Sequence, residues 1–356
     1  MTVGEVVLGA AGDVMIYAPT AFPPDGEVRV RNLSTSADAK LENASRTGFS
    51  RDGVTSAWIY GEYVSKPATG CTPNCILRWP IAGGEPTPLL SDLAHPFKVV
   101  ANGRYAAWIS DGGNTALTLH DAMSGTTDEV ITLLTVGTQI LDFDMTVVSG
   151  TPVVYYWSGP SAAGLPVRDV TLYRWTAAGG SQQVEAFANT NSPTGVDPKF
   201  APQVSADADH VAYNTWTPAG AIPAAVSTVI RPTTGGAATT IGSRPQSLQV
   251  RNGVAVWWEN FPTSGGAGTP DTRAWSAARG AETLQVADPY VGKLTLAPGF
   301  AVYGSGGGTS LYSWNSTTGV KTKLTDGPAL NFFATEGWVY YYGGSHTYRV
   351  RLTPAP

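Results

Sequence analysis

Charge is scarce in this chain: of 356 residues, only 14% are Asp, Glu, Lys or Arg. The 22 basic residues are outnumbered by 27 acidic ones, for a net charge of −5, and they form no cluster. A nucleic-acid-binding domain usually presents a basic face, so that partner class is excluded. Cysteine is scarcer still, with Cys71 and Cys75 alone, and the four histidines are dispersed. Material for a clustered Cys/His metal site is therefore lacking, and no metal or other cofactor is expected beyond an unspecified structural cation. No apolar run approaches the roughly 18 to 20 residues that cross a bilayer, so no membrane insertion is expected. The start, Met1-Thr-Val-Gly-Glu5, lacks the basic and then apolar order of a secretory leader. Apolar residues at helical spacing are missing too. What the chain does have is 41 glycines, 26 prolines and 10% aromatic residues. The aromatics sit in short apolar runs, which excludes disorder and suits short strands joined by tight turns.

Those runs repeat. One copy reads Lys293-Leu-Thr-Leu-Ala-Pro-Gly-Phe-Ala-Val-Tyr303, then a Gly/Ser loop, then Leu311-Tyr-Ser-Trp314 and, past Gly319, a last strand to Leu324. Another runs from Met145 to Trp157, crosses a loop, and resumes as Leu172-Tyr-Arg-Trp175 before Gln182 to Phe187. Four strands per unit, at a period of about 40 to 50 residues, is the pattern of a β-propeller blade. The expected fold is a single all-β domain over 1–356, a β-propeller of four-stranded antiparallel blades. Eight units are counted, near 3–43, 47–91, 96–135, 139–188, 202–242, 245–287, 292–325 and 329–353. The last lacks its outermost strand. Seven blades is the alternative, if one unit is split wrongly around Asn189–Pro202.

Gly48-Phe-Ser-Arg-Asp-Gly53 leading to Trp58, and Val204-Ser-Ala-Asp-Ala-Asp-His-Val-Ala-Tyr213, resemble the first hairpin of TolB-like (PD40, WD40-like) propellers. Leu324-Thr-Asp-Gly-Pro328 resembles the link into a following blade. The only Pro-Asp-Gly, Pro24-Asp-Gly26, falls in a variable loop rather than in the first turn where that family carries it. The resemblance implies the propeller fold and leaves periplasmic scaffolds, peptidase-associated propellers and sugar-active enzymes all open as functions.

Trp79, Trp175, Trp275 and Trp314 recur in the third strand of four units, the place of residues that fill the gap between sheets. Cys71 and Cys75 fall in one segment, Thr69-Gly-Cys-Thr-Pro-Asn-Cys, and are read as a local disulfide of an oxidising compartment. Specificity is expected in the loops between second and third strands: Ala18–Gly26, Gly61–Asn74, Ser158–Asp169, Thr217–Val226 and Phe261–Thr272. At their bases aromatic and polar residues meet, namely Glu62 with Tyr63, Trp157, Trp216, Trp258 with Glu259 and Asn260, and Tyr341 with Tyr342. Aromatic faces stack on sugar rings or apolar side chains while Glu and Asn orient a ligand, so these residues are expected to bind it. The competing reading is that they cap the core between blades.

Asp142 and Asp144 alternate with Leu141 and Phe143 on an innermost strand, which directs both carboxylates to one side, as solvated channel lining or as a weak cation site. Should the chain be an enzyme, His95 and His346 are the acid/base candidates, with Arg168 and Tyr63 completing a lyase-type set. His120 and His210 read as structural. The main expectation is a secreted or periplasmic monomer that binds a glycan or protein segment through its variable loops. A polysaccharide lyase or hydrolase, and an assembly scaffold, are the alternatives.

Overall fold

The computed structural model describes residues 6–11, 13–19, 28–41, 58–64, 74–80, 87–90, 98–102, 104–109, 113–133, 135, 137–160, 169–187, 202–216, 226–243, 246–259, 270–285, 294–305, 309–329, 331–344 and 346–352. All regular structure among them is strand. The first sheet contains β1 (Val6–Ala11), β2 (Val14–Ala18), β3 (Val28–Asn32) and β4 (Asp38–Leu41). The second contains β5 (Trp58–Val64), β6 (Asn74–Pro80) and β7 (Thr87–Leu90). The third contains β8 (Val99–Asn102), β9 (Tyr105–Ile109), β10 (Ala116–Asp121) and β11 (Thr127–Thr132). The fourth has β12 (Thr138–Val148), β13 (Thr151–Pro160), β14 (Val170–Thr176) and β15 (Gly180–Phe187). The fifth has β16 (Val204–Ala206), β17 (His210–Trp216), β18 (Val226–Pro232) and β19 (Thr239–Ser243). The sixth has β20 (Gln246–Arg251), β21 (Val254–Glu259), β22 (Asp271–Ser276) and β23 (Gly280–Gln285). The seventh has β24 (Leu294–Ala297), β25 (Phe300–Ser305), β26 (Ser310–Asn315) and β27 (Lys321–Thr325). The last has β28 (Asn331–Thr335), β29 (Trp338–Tyr342) and β30 (Thr347–Arg351).

Every sheet is an antiparallel meander in chain order, so the all-β expectation holds, and so does the four-strand unit in propeller-like succession. The count is corrected. Six described sheets have four strands and two have three, so the sheets do not establish a ring of eight blades. The expected innermost strand at Gly48–Ser50 lies outside the described residues. The chain also divides into two compact units, Met1–Thr132 with Gly327–Leu352, and Leu133–Asp326 with Thr353–Pro356.

Local chemistry explains the meanders. The β12–β13 and β20–β21 turns carry Ser149-Gly150 and Asn252-Gly253, all four at positive φ, the backbone of tight hairpin turns. At the outer hairpins an Asx residue closes the turn. The Asn315 carboxamide oxygen accepts from the backbone N–H of Thr317 and Thr318, each at 2.9 Å, and Asp121 accepts from Met123 N at 2.9 Å.

Burial grades across each sheet. In β13 every residue from Pro152 to Gly159 is buried, whereas β15 (GSQQVEAF) keeps its first four residues exposed. The second strand is thus sandwiched on both faces, which its continuous apolar run allows. In the second unit, Tyr155, Trp157, Val170 and Leu172 of one sheet close on Val204, Val211, Tyr213 and Val226 of the next. Ala212, Ile230, Ile241, Val250, Ala255 and Trp257 form the following layer, and Val256, Ala274, Leu294, Tyr303 and Trp314 the one after it. In the first unit, Val7, Met15 and Tyr17 of the first sheet pack on Phe333 and Tyr340 of the last.

The expected core role of the repeated tryptophans holds for Trp175 and Trp314, which are 8% and 0% exposed. Trp275 is half-buried, its ring centroid 5.3 Å from that of His210. The side chain of Trp79 is not described.

The innermost strands of the second unit are joined by a polar ladder. Asp142 Oδ2 accepts from Val204 N at 2.8 Å, and Asp144 Oδ2 from Ala206 N and Ser205 Oγ, both at 2.8 Å. One sheet further on, Gln203 Oε1 accepts from Leu248 N at 3.0 Å, Ser205 Oγ from Val250 N at 2.9 Å, and Asp207 Oδ2 from Gly253 N at 2.6 Å. Side chains of β16 and its flanks therefore satisfy backbone donors of β20 that no neighbouring strand of their own sheet reaches.

Candidate functional site

Strand β21 brings the expected ligand-binding residues Trp258 and Glu259 to its end, and the pleat sends them to opposite faces. Trp258 packs partly against the layer shared with the seventh sheet. Glu259 points the other way and is only 6% exposed. Its Oε1 accepts from Ser243 N at 2.5 Å and from Trp257 Nε1 at 3.4 Å, and Arg273 NH1 lies 3.6 Å from Oε2. The expectation of an exposed carboxylate is corrected: β21 runs one turn of its pleat further than the sequence pattern indicated, so Glu259 clamps β19 to β21. A Cβ added at Gly242 would sit 2.5 Å from Glu259 Oε1 and 2.7 Å from Trp257 Cζ2, so only glycine lets the strands meet there.

Trp157 is corrected in the same way. It lies inside β13, is 0% exposed, and donates its indole N–H to Gln203 O at 3.1 Å. Trp216 is the last residue of β17, and Tyr63 lies next to the end of β5, opposite Cys75 of β6. Cys75 is a residue of β6 rather than of a loop, and the expected Cys71–Cys75 disulfide lies outside the described residues. His95, Arg168 and Asn260 lie outside them as well. Asp144 is 3% exposed rather than solvated, its oxygens taken up by Ser205, Ala206, Met145 N at 2.8 Å and Arg251 NH1 at 3.3 Å, whereas Asp142 is half-buried and accepts from Val204 N. Among the described residues, no group of three or more His, Cys, Asp or Glu side chains could hold a metal ion.

In the first unit, β29 and β30 assemble an aromatic patch. Tyr341 and Tyr348 stack with ring centroids 5.4 Å apart, His346 lies 6.1 Å from Tyr348, and Tyr348 is 44% exposed. Tyr342 turns its hydroxyl to Gly344 O at 2.5 Å. The structure thus places His346 beside tyrosines, as a titratable aromatic group at a sheet end.

His120 is structural, as expected. It is 2% exposed, its Nε2 is 3.2 Å from Arg78 NH1, and its Nδ1 is 3.1 Å from Thr127 Oγ1. A guanidinium cannot accept, so Nε2 carries the lone pair and Nδ1 the proton. Burial first, and then the Arg78 charge, hold its pKa below that of a free imidazole.

None of the protein-family models matches the chain, and no curated protein matches it either. Solved structures do, at the level of fold. An oligogalacturonate lyase from Vibrio parahaemolyticus aligns at 10% identity over 99% of this chain and 98% of its own, with a TM-score of 0.54. Dipeptidyl peptidase 4 of Porphyromonas gingivalis aligns at 12% identity over 98% of this chain and 58% of its own, with a TM-score of 0.54. A prolyl endopeptidase aligns at 15% identity over 90% of this chain and 49% of its own, with a TM-score of 0.56. The chain therefore spans about half the length of these peptidases. The fold is that of propellers found in peptidases and in one lyase, which corrects the TolB-like (WD40-like) assignment. The hairpin motifs behind that assignment are turn chemistry that many propellers share.

Among the described residues no helix is long and apolar enough to cross a membrane.

Proposed function

We propose that this chain is an enzyme-associated β-propeller acting on a polysaccharide, as a lyase or hydrolase, through the loop end of its sheets. One observation carries the proposal: the lyase is matched along 98% of its length, whereas each peptidase is matched along only about half. In that lyase the matched fold is nearly the whole chain, whereas in the peptidases it is one part of a longer chain, which favours the lyase as the analogue. Closure of the sheets into a ring belongs to the same proposal, as do a secreted or periplasmic location and a monomeric state. In this reading the first unit offers His95 or His346 as acid or base, with Tyr63 in support and Tyr342 for contact with sugar, and the second unit by itself offers Arg168 for a uronate carboxylate and Trp216, Trp258 and Asn260 for contact with sugar. Arg neutralises a carboxylate well because its planar fork matches the two oxygens.

Half-length coverage of the peptidases favours one second reading, a propeller module that accompanies a peptidase and recognises a protein segment. Incubating the purified chain with a panel of acidic and neutral polysaccharides separates the two. Chain shortening that is lost in His346→Ala or Arg168→Ala supports the enzyme. Absence of cleavage on every substrate, together with capture of peptides, moves the function to the peptidase-module reading.

A further inference from the structure

The second unit contains a cleft of about 170 Å³ between the fourth and fifth sheets, which no part of the proposed function uses. Its lining includes Pro232, Thr233 and Gly235 at the end of β18 and in the turn that follows. Cross-strand register builds one wall. Tyr155 of β13 faces Arg174 of β14, and Arg174 faces Gln182 of β15, so the three side chains form a row aimed at the fifth sheet. On the other side Val211 of β17 faces Arg231 of β18, and the turn at Thr233 closes the rim.

The electrostatics of this cleft are unbalanced. Arg174 and Arg231 both line it, and both are half-buried. Each guanidinium bears on a tyrosine hydroxyl, Arg174 on that of Tyr155 and Arg231 on that of Tyr213, and favours the ionised phenol there against burial. Among the described residues neither arginine has a carboxylate within ion-pair distance, although most other half-buried arginines here do: Arg31 with Asp38, Arg251 with Asp144 and Arg273 with Glu259. Among the described residues no carboxylate lines the cleft; Glu185 of β15 is not part of its lining and accepts from the Tyr213 hydroxyl at 3.0 Å. Arg174 Nε is buried and has no hydrogen-bond partner. Two cations that bear on one tyrosine hydroxyl, with an unused donor between apolar walls, repel each other and leave a desolvated N–H unsatisfied.

We propose that this cleft binds an oxyanion, a carboxylate, sulfate or phosphate group, held between the Arg174 and Arg231 guanidinia with the Gln182 amide as a further donor. Such a group supplies the missing counter-charge, and its oxygens match the paired donors of a guanidinium. The volume admits one such group with a few attached atoms and not a folded partner. The group can arrive as a free inorganic ion or as the acidic substituent of a sugar, since the recognising chemistry is the same. The site stands apart from the polysaccharide reading and does not need it.

The test is calorimetric titration of the intact chain with sodium phosphate, sodium sulfate, glucuronate and oligogalacturonate, against chloride at matched ionic strength. Saturable one-to-one binding is expected, weakened at least tenfold in Arg174→Gln and in Arg231→Gln and absent in the double variant. Arg-to-Lys variants keep charge without the fork, and should bind more weakly than the native protein but more tightly than the Gln variants. Gln182→Glu guards against misfolding. A carboxylate there supplies the counter-charge internally, so it should raise the melting temperature while abolishing oxyanion binding. Preference for the sugar acids over phosphate assigns a glycan substituent, and equal affinity assigns a free ion. No saturable binding of any of the four, binding unchanged in the double variant, or Gln182→Glu that leaves both binding and melting temperature untouched would each overturn the proposal.

Discussion

Asp144 has four hydrogen-bonding neighbours, the backbone N–H of Met145 and Ala206, the Ser205 hydroxyl and the Arg251 guanidinium, and is almost wholly buried. Truncation to alanine strands three buried donors and a partly buried cation. Asp144→Ala should therefore cost about 3 kcal/mol, read by denaturant unfolding. Gly242 is equally constrained, but by space: a methyl group there meets Glu259 and Trp257 inside 3 Å. Gly242→Ala should cost about 1 to 3 kcal/mol, with the loss reduced when Trp257→Phe frees room. His120 has a pKa held down by burial and by Arg78, so the unfolded chain takes up its proton first as pH falls. Its contribution to stability is complete above pH 6.5, the free imidazole value, and is lost as pH drops through the lower folded value. Melting temperature should fall on acidification from pH 7 to pH 5, and the fall should be shallower in His120→Gln. An equal slope in both proteins would show that another group sets the acid limit.

At the scale of strands, the meander itself was legible. Alternating aromatic runs punctuated by Asn-Gly, Ser-Gly and Asx turns mark most of the hairpins that the structure contains, because turn chemistry is local. Where those strands stop was not legible. Trp157, Trp216 and Glu259 are expected at loop bases; Trp216 and Glu259 are the last residues of β17 and β21, whereas Trp157 lies inside β13, and the Glu259 side chain turns into the packing between strands. That limit is set by packing across sheets and leaves no local signature. The same holds for Asp142 and Asp144, whose alternation correctly put them on one side, while their partners Val204 to Ala206 lie about sixty residues on. The Arg174 and Arg231 cleft was missed, although Arg174 interrupts the apolar alternation of β14 beside Leu172, a charged residue in a strand interior that asks for a partner. Because Ser205 both donates to Asp144 and accepts from Val250 N, it links three sheets. Ser205→Ala should cost about 1 to 3 kcal/mol, and with Asp144→Ala the loss should be less than additive by 0.5 kcal/mol or more, on the order expected for shared partners. Strict additivity would mean that the ladder does not act as a unit.

For the whole chain, fold and function separate. Meander sheets and layered apolar interfaces follow from composition and repeat, and the match to lyase and peptidase propellers agrees with them. Activity depends on which side chains converge at the loop end, and the sequence spacing of His95, Arg168 and His346 carries no information about that. The proposed chemistry on an acidic glycan is tested most directly by product analysis. The chain is incubated with polygalacturonate, and the shortened products are weighed by mass spectrometry. Elimination yields products lighter by one water than those of hydrolysis, with an ultraviolet-absorbing double bond at the cut. The account predicts cleavage into either product class, with the mass naming the reaction, and its loss in His346→Ala. An uncleaved polymer, under conditions where the folded chain remains intact, would contradict a lyase or hydrolase acting on this acidic glycan.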